Sequence, residues 1–244
     1  MSHNKSFDPS TFDDCPELYD TALDWPYRKT LELPTLKNLL GDLSNLNVMD
    51  FGCGPGVITR WLHGQGANKV VGFDISEGML DYALKIENRS PLGITYSSRI
   101  EESYLESFDI VLAVYVIPYL TDKQKLINMF TNVHQLLKPG GRFIALPIHP
   151  DFNGAESYYA PFGINLVEVE TRHDASKVKL ELRMPPHNID IDAYYWTQET
   201  LNETLNTSGF QNIEWPTLEI PVDLPIKLEP YAKYPHAAII QARK

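Results

Sequence analysis

Three glycines and an acidic residue occur in this chain with a spacing that suits nucleotide binding. Gly52, Gly54 and Gly56 follow Asp50, and they separate a predicted strand that ends at 48–49 from a predicted helix at 57–63. Glycine adopts positive φ and lets a ligand approach the backbone without a Cβ in the way. A strand, a glycine-rich turn and a helix N-terminus form the ligand crevice of open α/β sheets. The spacing therefore predicts a cofactor-binding turn.

A second acidic residue supports this interpretation. Asp74 ends a predicted strand at 68–74 and lies 20 residues after Gly54. At this offset a carboxylate can accept hydrogen bonds from both hydroxyls of a ribose. The simpler alternative is that Asp74 only caps the helix that follows it. Because the glycine-rich turn and Asp74 have the expected spacing, we predict that Asp74 binds the cofactor.

The form D-F-G-C-G-P-G at residues 50–56 resembles motif I of the class I S-adenosylmethionine (SAM)-dependent methyltransferases. A dinucleotide-binding fingerprint would place its third glycine one residue later. The resemblance covers residues 46–148 and includes L-K-P-G-G at 137–141. It implies SAM as the cofactor and S-adenosylhomocysteine as its product. The cofactor-binding residues that we predict on this basis are Asp50, Phe51, Gly52, Cys53, Gly54, Gly56, Asp74, Ile75, Met79, Arg99, Ile100, Ala113 and Arg28.

Two arginines, Arg28 and Arg99, are among the predicted cofactor-binding residues. Arg28 is predicted to pair with the methionyl carboxylate of the cofactor, and the alternative is a solvated surface arginine. Arg99 stands where the family usually places an acid beside the adenine amine. A guanidinium group cannot accept a hydrogen bond from that amine. The chain therefore departs from the family pattern at this position.

The order of the predicted elements indicates an α/β fold. We predict a Rossmann-like seven-stranded sheet with an antiparallel last strand, helices on both faces, an N-terminal lid and a β-hairpin insertion. The single domain divides into an N-terminal helical lid at 1–45, a SAM-binding core at 46–148, a hairpin insertion at 150–190, and a C-terminal helix and strands at 191–244. The other predicted strands lie at 94–97, 108–114, 142–147, 165–170, 177–184, 211–215 and 236–242, and the other predicted helices lie at 122–137 and 197–208.

Aromatic residues and a histidine fall where a methyl acceptor would bind. Methyl transfer from a sulfonium mainly requires alignment, and a base is needed only when the acceptor carries a proton. Aromatic faces also attract the positive charge of the sulfonium. The predicted substrate-binding residues are Tyr19, Trp25, Tyr115, Tyr119 and His149. Of these, His149 as a base and Tyr119 are the predicted catalytic residues. Each of these side chains could instead pack in a core.

Composition excludes several other classes of protein. A net charge of -11 argues against a nucleic-acid partner. No apolar run approaches the length of a membrane span, and the polar N-terminus lacks the features of a signal peptide. The two cysteines, Cys15 and Cys53, form no disulfide framework, so we expect a cytoplasmic protein. The histidines lack metal-binding spacing, so we expect no metal.

The sequence thus predicts a SAM-dependent methyltransferase that acts on a small molecule. The segments 7–33 and 216–235 resemble those of small-molecule enzymes of secondary metabolism, including the N-methyltransferases of toxoflavin-type heteroaromatics. This resemblance implies a planar aromatic or heteroaromatic acceptor, methylated at nitrogen or oxygen by in-line displacement. The alternatives are an NAD-dependent oxidoreductase and a non-catalytic SAM-binding regulator. The identity of the acceptor and the oligomeric state do not follow from the sequence.

Overall fold

A computed structural model describes residues 16–185 and 187–244, and its strands form two sheets. The strands are β1 (Asn47–Phe51), β2 (Lys69–Phe73), β3 (Thr95–Ser97), β4 (Phe108–Val114), β5 (Leu137–Leu146), β6 (Ile164–Glu168), β7 (Lys177–Met184), β8 (His187–Tyr194), β9 (Gln211–Glu214) and β10 (Ile240–Arg243). The α-helices are α1 (Pro16–Asp20), α2 (Leu33–Leu40), α3 (Val57–Gly64), α4 (Glu77–Arg89), α5 (Lys123–Leu136), α6 (Gln198–Thr207) and α7 (Glu229–Lys233).

The larger sheet has seven strands in the order β3-β2-β1-β4-β5-β10-β9. The first five run parallel, and β10 pairs antiparallel with both β5 and β9. This arrangement confirms the predicted fold class, including the antiparallel end of the sheet. The order reverses direction at β1, whose carboxyl end lies between those of β2 and β4. Ligands of open α/β sheets bind at such a switch point.

The central strands are buried on both faces, which explains their nearly continuous apolar sequences. Successive side chains point to opposite faces. Met49 and Val111 accordingly pack in the core that holds α5 and α6, whereas Val48 and Ile110 pack in the core that holds α2 and α3. The two helical layers therefore hold the sheet rigid, and its carboxyl edge remains available for a ligand.

Two strand boundaries differ from the sequence prediction. β5 begins at Leu137, directly after α5, whereas we predicted a turn at 137–141 and a strand from 142. Leu137 pairs with Phe108, and a register shift before Ile110 accommodates the glycine-containing stretch. β10 begins at Ile240, and an isolated bridge between Ile148 and Ala237 replaces its predicted start.

The insertion is a three-stranded antiparallel sheet, β6-β7-β8, where we predicted only a hairpin. β6 and β7 lie at the predicted places, and β8 pairs along the whole length of β7. The missed strand carries a clear signal, because Ile191 and Ala193 are buried and alternate with exposed residues. Alternation of this kind predicts a half-buried strand.

The N-terminal segment packs on the insertion. It contains α1, a 3-10 turn at Ala22–Asp24, a π-helical turn at Arg28–Glu32 and α2. Leu18 and Tyr27 share a buried core with Ile164 of β6 and with Tyr231 of α7. The lid, the small sheet and the C-terminal segment therefore form one packed layer over the carboxyl edge of the larger sheet. Cys15 and the other residues of 1–15 lie outside the described residues.

Within the described ranges, no helix combines the length and apolar character that crossing a bilayer requires.

Candidate active site

The glycine-rich turn is hydrogen-bonded to the end of β2. The amides of Gly52 and Cys53 donate to the carbonyl of Phe73 at 2.7 and 2.9 Å. The amide of Gly54 donates to Oδ2 of Asp74 at 2.7 Å. Gly52 and Gly54 both have positive φ, at 77° and 52°, which side chains other than glycine rarely adopt. The backbone amides of the turn therefore hold it against the end of β2.

Asp74 is oriented by backbone groups. In addition to the contact with Gly54, its Oδ1 accepts a hydrogen bond from the amide of Ser76 at 2.9 Å. Ser76 in turn caps α4 by accepting from the amide of Met79 at 3.2 Å. These two backbone contacts hold the carboxylate of Asp74 in a fixed orientation beside the turn. The capping alternative in the sequence is thus filled by Ser76 rather than by Asp74.

A cavity of about 390 Å³ lies at the carboxyl ends of β1, β2 and β4. The turn, Asp74, the start of α4 and the lid all contribute to its walls. Its lining includes these predicted cofactor-binding residues: Asp50, Phe51, Gly52, Cys53, Gly54, Asp74, Ile75, Met79, Ile100 and Arg28. Most of the predicted cofactor-binding set is therefore brought together at one place.

Three predicted cofactor-binding residues are not in these walls. Gly56 is the N-cap of α3, and a Cβ at this position would meet the ring of Tyr96. Arg99 is exposed, and its neighbour Ile100 lines the cavity in its place. Ala113 is fully buried in the core between the sheet and α5. These three residues lie outside the walls of this cavity, and their contact with a cofactor stays a prediction.

Helix α5 supplies cavity residues that the sequence analysis missed. They are Lys125, Asn128, Met129 and Asn132. Their spacing of three, one and three residues places them on one helical face. Three of these four residues carry an amide or ammonium group. The helical spacing was the available signal, but polar residues on a helix more often face solvent.

Asp50 is a carboxyl group buried beneath the turn. Only 1% of the residue is exposed, and Oδ2 accepts a hydrogen bond from the hydroxyl of Thr59 at 2.7 Å. Burial raises the pKa of Asp50 to about 7, and the hydrogen bond from Thr59 only partly opposes this effect. A cationic ligand in the cavity would favour the ionised form.

A smaller cavity of about 40 Å³ adjoins the first one and shares four lining residues with it. The shared residues are Tyr19, Arg28, Tyr115 and Tyr119. The remaining lining comprises Trp25, Tyr27, Pro118, Ile148, Ile164, Leu166, Leu180, Leu182, Ala193 and His236. Four of the five predicted substrate-binding residues therefore lie around this cavity, namely Tyr19, Trp25, Tyr115 and Tyr119.

His149 is placed differently from its prediction. It is half-buried and is not among the lining residues of either cavity. Its Nδ1 accepts a hydrogen bond from the amide of Asp151 at 2.9 Å. The backbone of His149 pairs with that of His236 at 2.8 Å, and it is His236 whose side chain lines the smaller cavity. His236, on the segment paired with that of His149, is therefore the histidine that lines the smaller cavity.

Arg28 and Glu32 form a buried ion pair across the π-helical turn. Only 6% of Arg28 and 2% of Glu32 are exposed, so Arg28 is not the surface arginine of the alternative interpretation. Nε of Arg28 lies 3.3 Å from Oε2 of Glu32. The guanidinium also lies 4.8 Å from the ring centroid of Tyr115 and 5.3 Å from that of Trp25. π-helical turns occur frequently at functional sites.

Tyr115 connects the sheet to this ion pair. It directly follows β4 and has a φ of 60°, an uncommon value for a residue other than glycine. Its hydroxyl donates to Oε1 of Glu32 at 2.6 Å. Strained residues of this kind concentrate at ligand sites. The side chain of Tyr115 lines both cavities and therefore lies at the boundary between them.

The residues of the larger cavity fit SAM. A Cβ at Gly54 would meet only Sδ of Met79, at 3.9 Å, so the space beside this glycine is open to a ligand. Asp74 offers carboxylate oxygens for ribose hydroxyls, and Asp50 offers a buried acid beside the turn. Within residues 16–185 and 187–244, no group of three or more histidine, cysteine or carboxylate side chains is arranged to hold a metal ion.

Comparison with known proteins agrees with this geometry. The family described as "Methyltransferase domain" matches residues 48–141. A SAM-dependent methyltransferase from Mesorhizobium loti superposes with a TM-score of 0.59 at 26% identity, covering 87% of this chain and 97% of that protein. Over residues 48–141, which are less than half of its length, the chain is similar to the class I SAM-dependent methyltransferases. This match confirms the resemblance of the glycine-rich turn, and it supports SAM as the cofactor.

Two sequence relatives have more specific names. A ubiquinone biosynthesis O-methyltransferase from Coxiella burnetii is 31% identical over 113 residues, which are 45% of this chain and 47% of that protein. An N-demethylindolmycin N-methyltransferase from Streptomyces griseus is 26% identical over 171 residues, which are 68% of this chain and 70% of that protein. The chain thus spans about half the length of the Coxiella relative.

The raised pKa of Asp50 predicts a pH-dependent cost to the stability of the protein. An aspartate has a pKa of about 4 in the unfolded chain. Because the folded value is about 7, the folded state loses stability as the pH rises through this interval. We expect Asp50→Asn to remove that loss. Thermal unfolding should then show a larger gain in stability relative to wild type at pH 8 than at pH 5.

Asp109→Asn is the matched control. Burial alone would raise the pKa of Asp109, but hydrogen bonds from Lys138 and from the Asn47 amide lower it below its usual range. This carboxylate is therefore ionised at both pH values, and its replacement should cost the same at pH 5 and pH 8. An Asp50→Asn effect that is equal at the two pH values would contradict the assignment of a raised pKa.

Asp74 is expected to determine cofactor affinity. Asp74→Ala removes a charge-assisted hydrogen-bond acceptor, which should weaken SAM binding by roughly tenfold to a hundredfold. Titration calorimetry with SAM measures the change, and NAD is not expected to bind. Asp81→Ala removes the same charge from the exposed face of α4 and should leave the affinity unchanged. Unchanged SAM affinity in a folded Asp74→Ala variant would refute the role of this residue.

Proposed function

We propose that this methyltransferase transfers the methyl group of SAM to a small, planar aromatic or heteroaromatic acceptor, at nitrogen or oxygen. The observation that carries the proposal is the smaller cavity, which joins the cofactor cavity at Tyr19, Arg28, Tyr115 and Tyr119. Three of these four side chains are aromatic, and a flat acceptor can stack on such rings. Aromatic pairs contribute about 0.5 to 1.5 kcal/mol beyond the burial of area.

The walls of the smaller cavity favour a small and mostly apolar acceptor. The insertion closes one side of this cavity and provides the acceptor surface. Its contributing residues are Leu166 of β6, Leu180 and Leu182 of β7, and Ala193 of β8. The positive charge of Arg28 is already partnered by Glu32, which leaves no unpaired charge among these walls to attract an ionic substrate. The volume of about 40 Å³ leaves no room for a macromolecular segment, and a planar acceptor would also occupy part of the larger cavity across the shared junction.

The chemistry requires alignment and the exclusion of water. SAM, when bound, supplies a methyl group on a positively charged sulfur. The faces of the tyrosines at the junction can stabilise that charge, and the apolar side chains of the small sheet exclude water from the acceptor. An acceptor that carries a proton must also lose it. Tyr119, at the junction, and His149, on the segment after β5, remain proposed catalytic residues.

The remaining features of the proposal concern the biological setting. The two relatives are named for O-methylation and for N-methylation, so both atoms stay within the proposal. The net charge of -11 supports a small-molecule substrate over a nucleic acid. The low cysteine content favours a reducing compartment, and we accordingly propose a cytoplasmic enzyme of secondary metabolism.

The direct test is a panel of acceptors. Planar phenols, catechols, indoles and other nitrogen heteroaromatics are incubated with the protein and SAM, and S-adenosylhomocysteine and methylated products are measured by mass spectrometry. We expect turnover with a planar member of the panel. Methylation of a protein or tRNA substrate would contradict the proposal, and SAM binding without transfer to any acceptor would favour a non-catalytic regulator.

Leu180→Ala tests which cavity holds the acceptor. Leu180 lines the smaller cavity and not the larger one. Loss of its apolar contacts should raise the KM for the acceptor by about tenfold while the affinity for SAM stays within about twofold. Lys179→Ala is the matched control, because its side chain points to the opposite face of the same strand. A change in SAM affinity without a change in acceptor KM would refute the assignment.

A further inference from the structure

A chain of buried hydrogen bonds leads from the lid to the smaller cavity. The hydroxyl of Tyr231 donates to Oε1 of Glu32 at 2.7 Å. The same hydroxyl lies 2.7 Å from Nδ1 of His236. All three residues are buried, and His236 lines the smaller cavity. This series of hydrogen bonds therefore ends at the smaller cavity, where we propose that the acceptor binds.

Counting protons along this chain assigns the tautomer of the histidine. Glu32 lies against the guanidinium of Arg28 and acts as an acceptor, so the single hydroxyl proton of Tyr231 is used in the bond to Glu32. The hydroxyl oxygen must then accept from Nδ1 of His236. A neutral imidazole that carries its proton on Nδ1 has a bare lone pair on Nε2. Within the described residues, Nε2 of His236 makes no hydrogen bond.

The surroundings of His236 keep the ring neutral. Burial lowers the pKa of His236 to about 3, and the charges of Arg28 and His149 act in the same direction. Glu32 is the nearby acid, and it acts through Tyr231. The other titratable groups packed on the ring are Tyr27, Tyr115 and Tyr159, whose pKa values are raised by burial, so that they carry no charge at neutral pH.

We propose that Nε2 of His236 faces the smaller cavity and receives the proton of an acceptor hydroxyl or ring N–H as that atom is methylated. The inference rests on the proposed methyl transfer and narrows its substrate class to acceptors whose nucleophilic atom carries a proton. The lone pair of Nε2 also orients that proton before the reaction. Glu32 and Tyr231 are positioning residues, because they act through the ring of His236.

The atoms and electrons of the step balance. The bond from sulfur to the methyl carbon breaks and its electron pair stays on sulfur, while a lone pair of the acceptor forms the new bond to carbon. The acceptor atom becomes strongly acidic as it gains the methyl group, so a weak base suffices to take its proton. The proton passes to Nε2 and leaves to water when the product departs. The Nδ1 proton stays in the bond to Tyr231 throughout.

Nitrogen NMR of the full chain tests the tautomer. The protein is labelled with ¹⁵N-histidine and saturated with S-adenosylhomocysteine at pH 7, and the His236 signals are identified by their loss in His236→Asn. We expect a neutral ring with its proton on Nδ1. Tyr231→Phe should introduce the other tautomer, because the acceptor for Nδ1 is removed. A proton on Nε2 in wild type, or a doubly protonated ring, would overturn the proposal.

Phenol and toluene test the contact with the acceptor, because they have similar shapes and only phenol carries a hydroxyl proton. Phenol is expected to shift the Nε2 resonance of His236 and toluene is not. The phenol shift should persist in His63→Asn, since that side chain lies outside both cavities and has no proposed role in the reaction. Equal responses to the two probes, or no response of Nε2, would overturn the proposal. Failure of S-adenosylhomocysteine to bind would instead refute the proposed function.

Kinetics test the catalytic role. His236→Asn keeps a donor near the position of Nδ1 for Tyr231 but has no Nε2. With a phenolic or N–H acceptor, we expect this variant to lower kcat by about a hundredfold or more and to leave the KM for SAM within about twofold. A kcat close to that of wild type in a folded His236→Asn variant would overturn the proposal.

Discussion

The hydrogen bonds between the glycine-rich turn and the end of β2 are the constraint on which the site depends. The amides of Gly52 and Cys53 share the carbonyl of Phe73, and the amide of Gly54 binds Asp74. These contacts fix the distance between two neighbouring strands at their carboxyl ends. A turn held in this way can present backbone to a ligand, since its glycines have no side chains that would fill the cavity. The hydrogen bonds of this turn therefore determine the shape of the cavity, the orientation of Asp74 and the position at which α3 starts.

The second half of the site is assembled from segments that are distant in the sequence. Glu32 of the lid accepts hydrogen bonds from Tyr115, which follows β4, and from Tyr231, which lies near the C-terminus. One buried carboxylate therefore joins the lid, the sheet and the C-terminal segment. Removing one partner of such a buried group leaves the others unsatisfied, which costs more than the bond itself contributes. This junction is also where the two cavities meet, so the packing of the lid and the placement of an acceptor depend on the same contacts.

Ten of the thirteen predicted cofactor-binding residues line one cavity, whereas the sequence analysis missed His236 of the smaller cavity, for a physical reason. The turn and Asp74 are recognisable because a strand, a glycine turn and a following acid are local patterns with fixed offsets. His236 is not recognisable in this way, since it reaches the cavity only through the antiparallel pairing of its segment with the residues around His149. The ion pair between Arg28 and Glu32 depends on a π-helical turn, and periodicity does not distinguish such a turn from an α-helix. Tertiary pairing thus determined the residues that were missed.

The central claim is that one cavity holds the cofactor and that its reactive end meets the smaller cavity at the aromatic junction. A crystal structure of the protein with S-adenosylhomocysteine tests this most directly. We predict that the ribose hydroxyls lie within hydrogen-bonding distance of Asp74 and that the sulfur lies at the boundary formed by Tyr19, Tyr115 and Tyr119. A ligand whose ribose is remote from Asp74, or whose sulfur points away from the smaller cavity, would contradict the account.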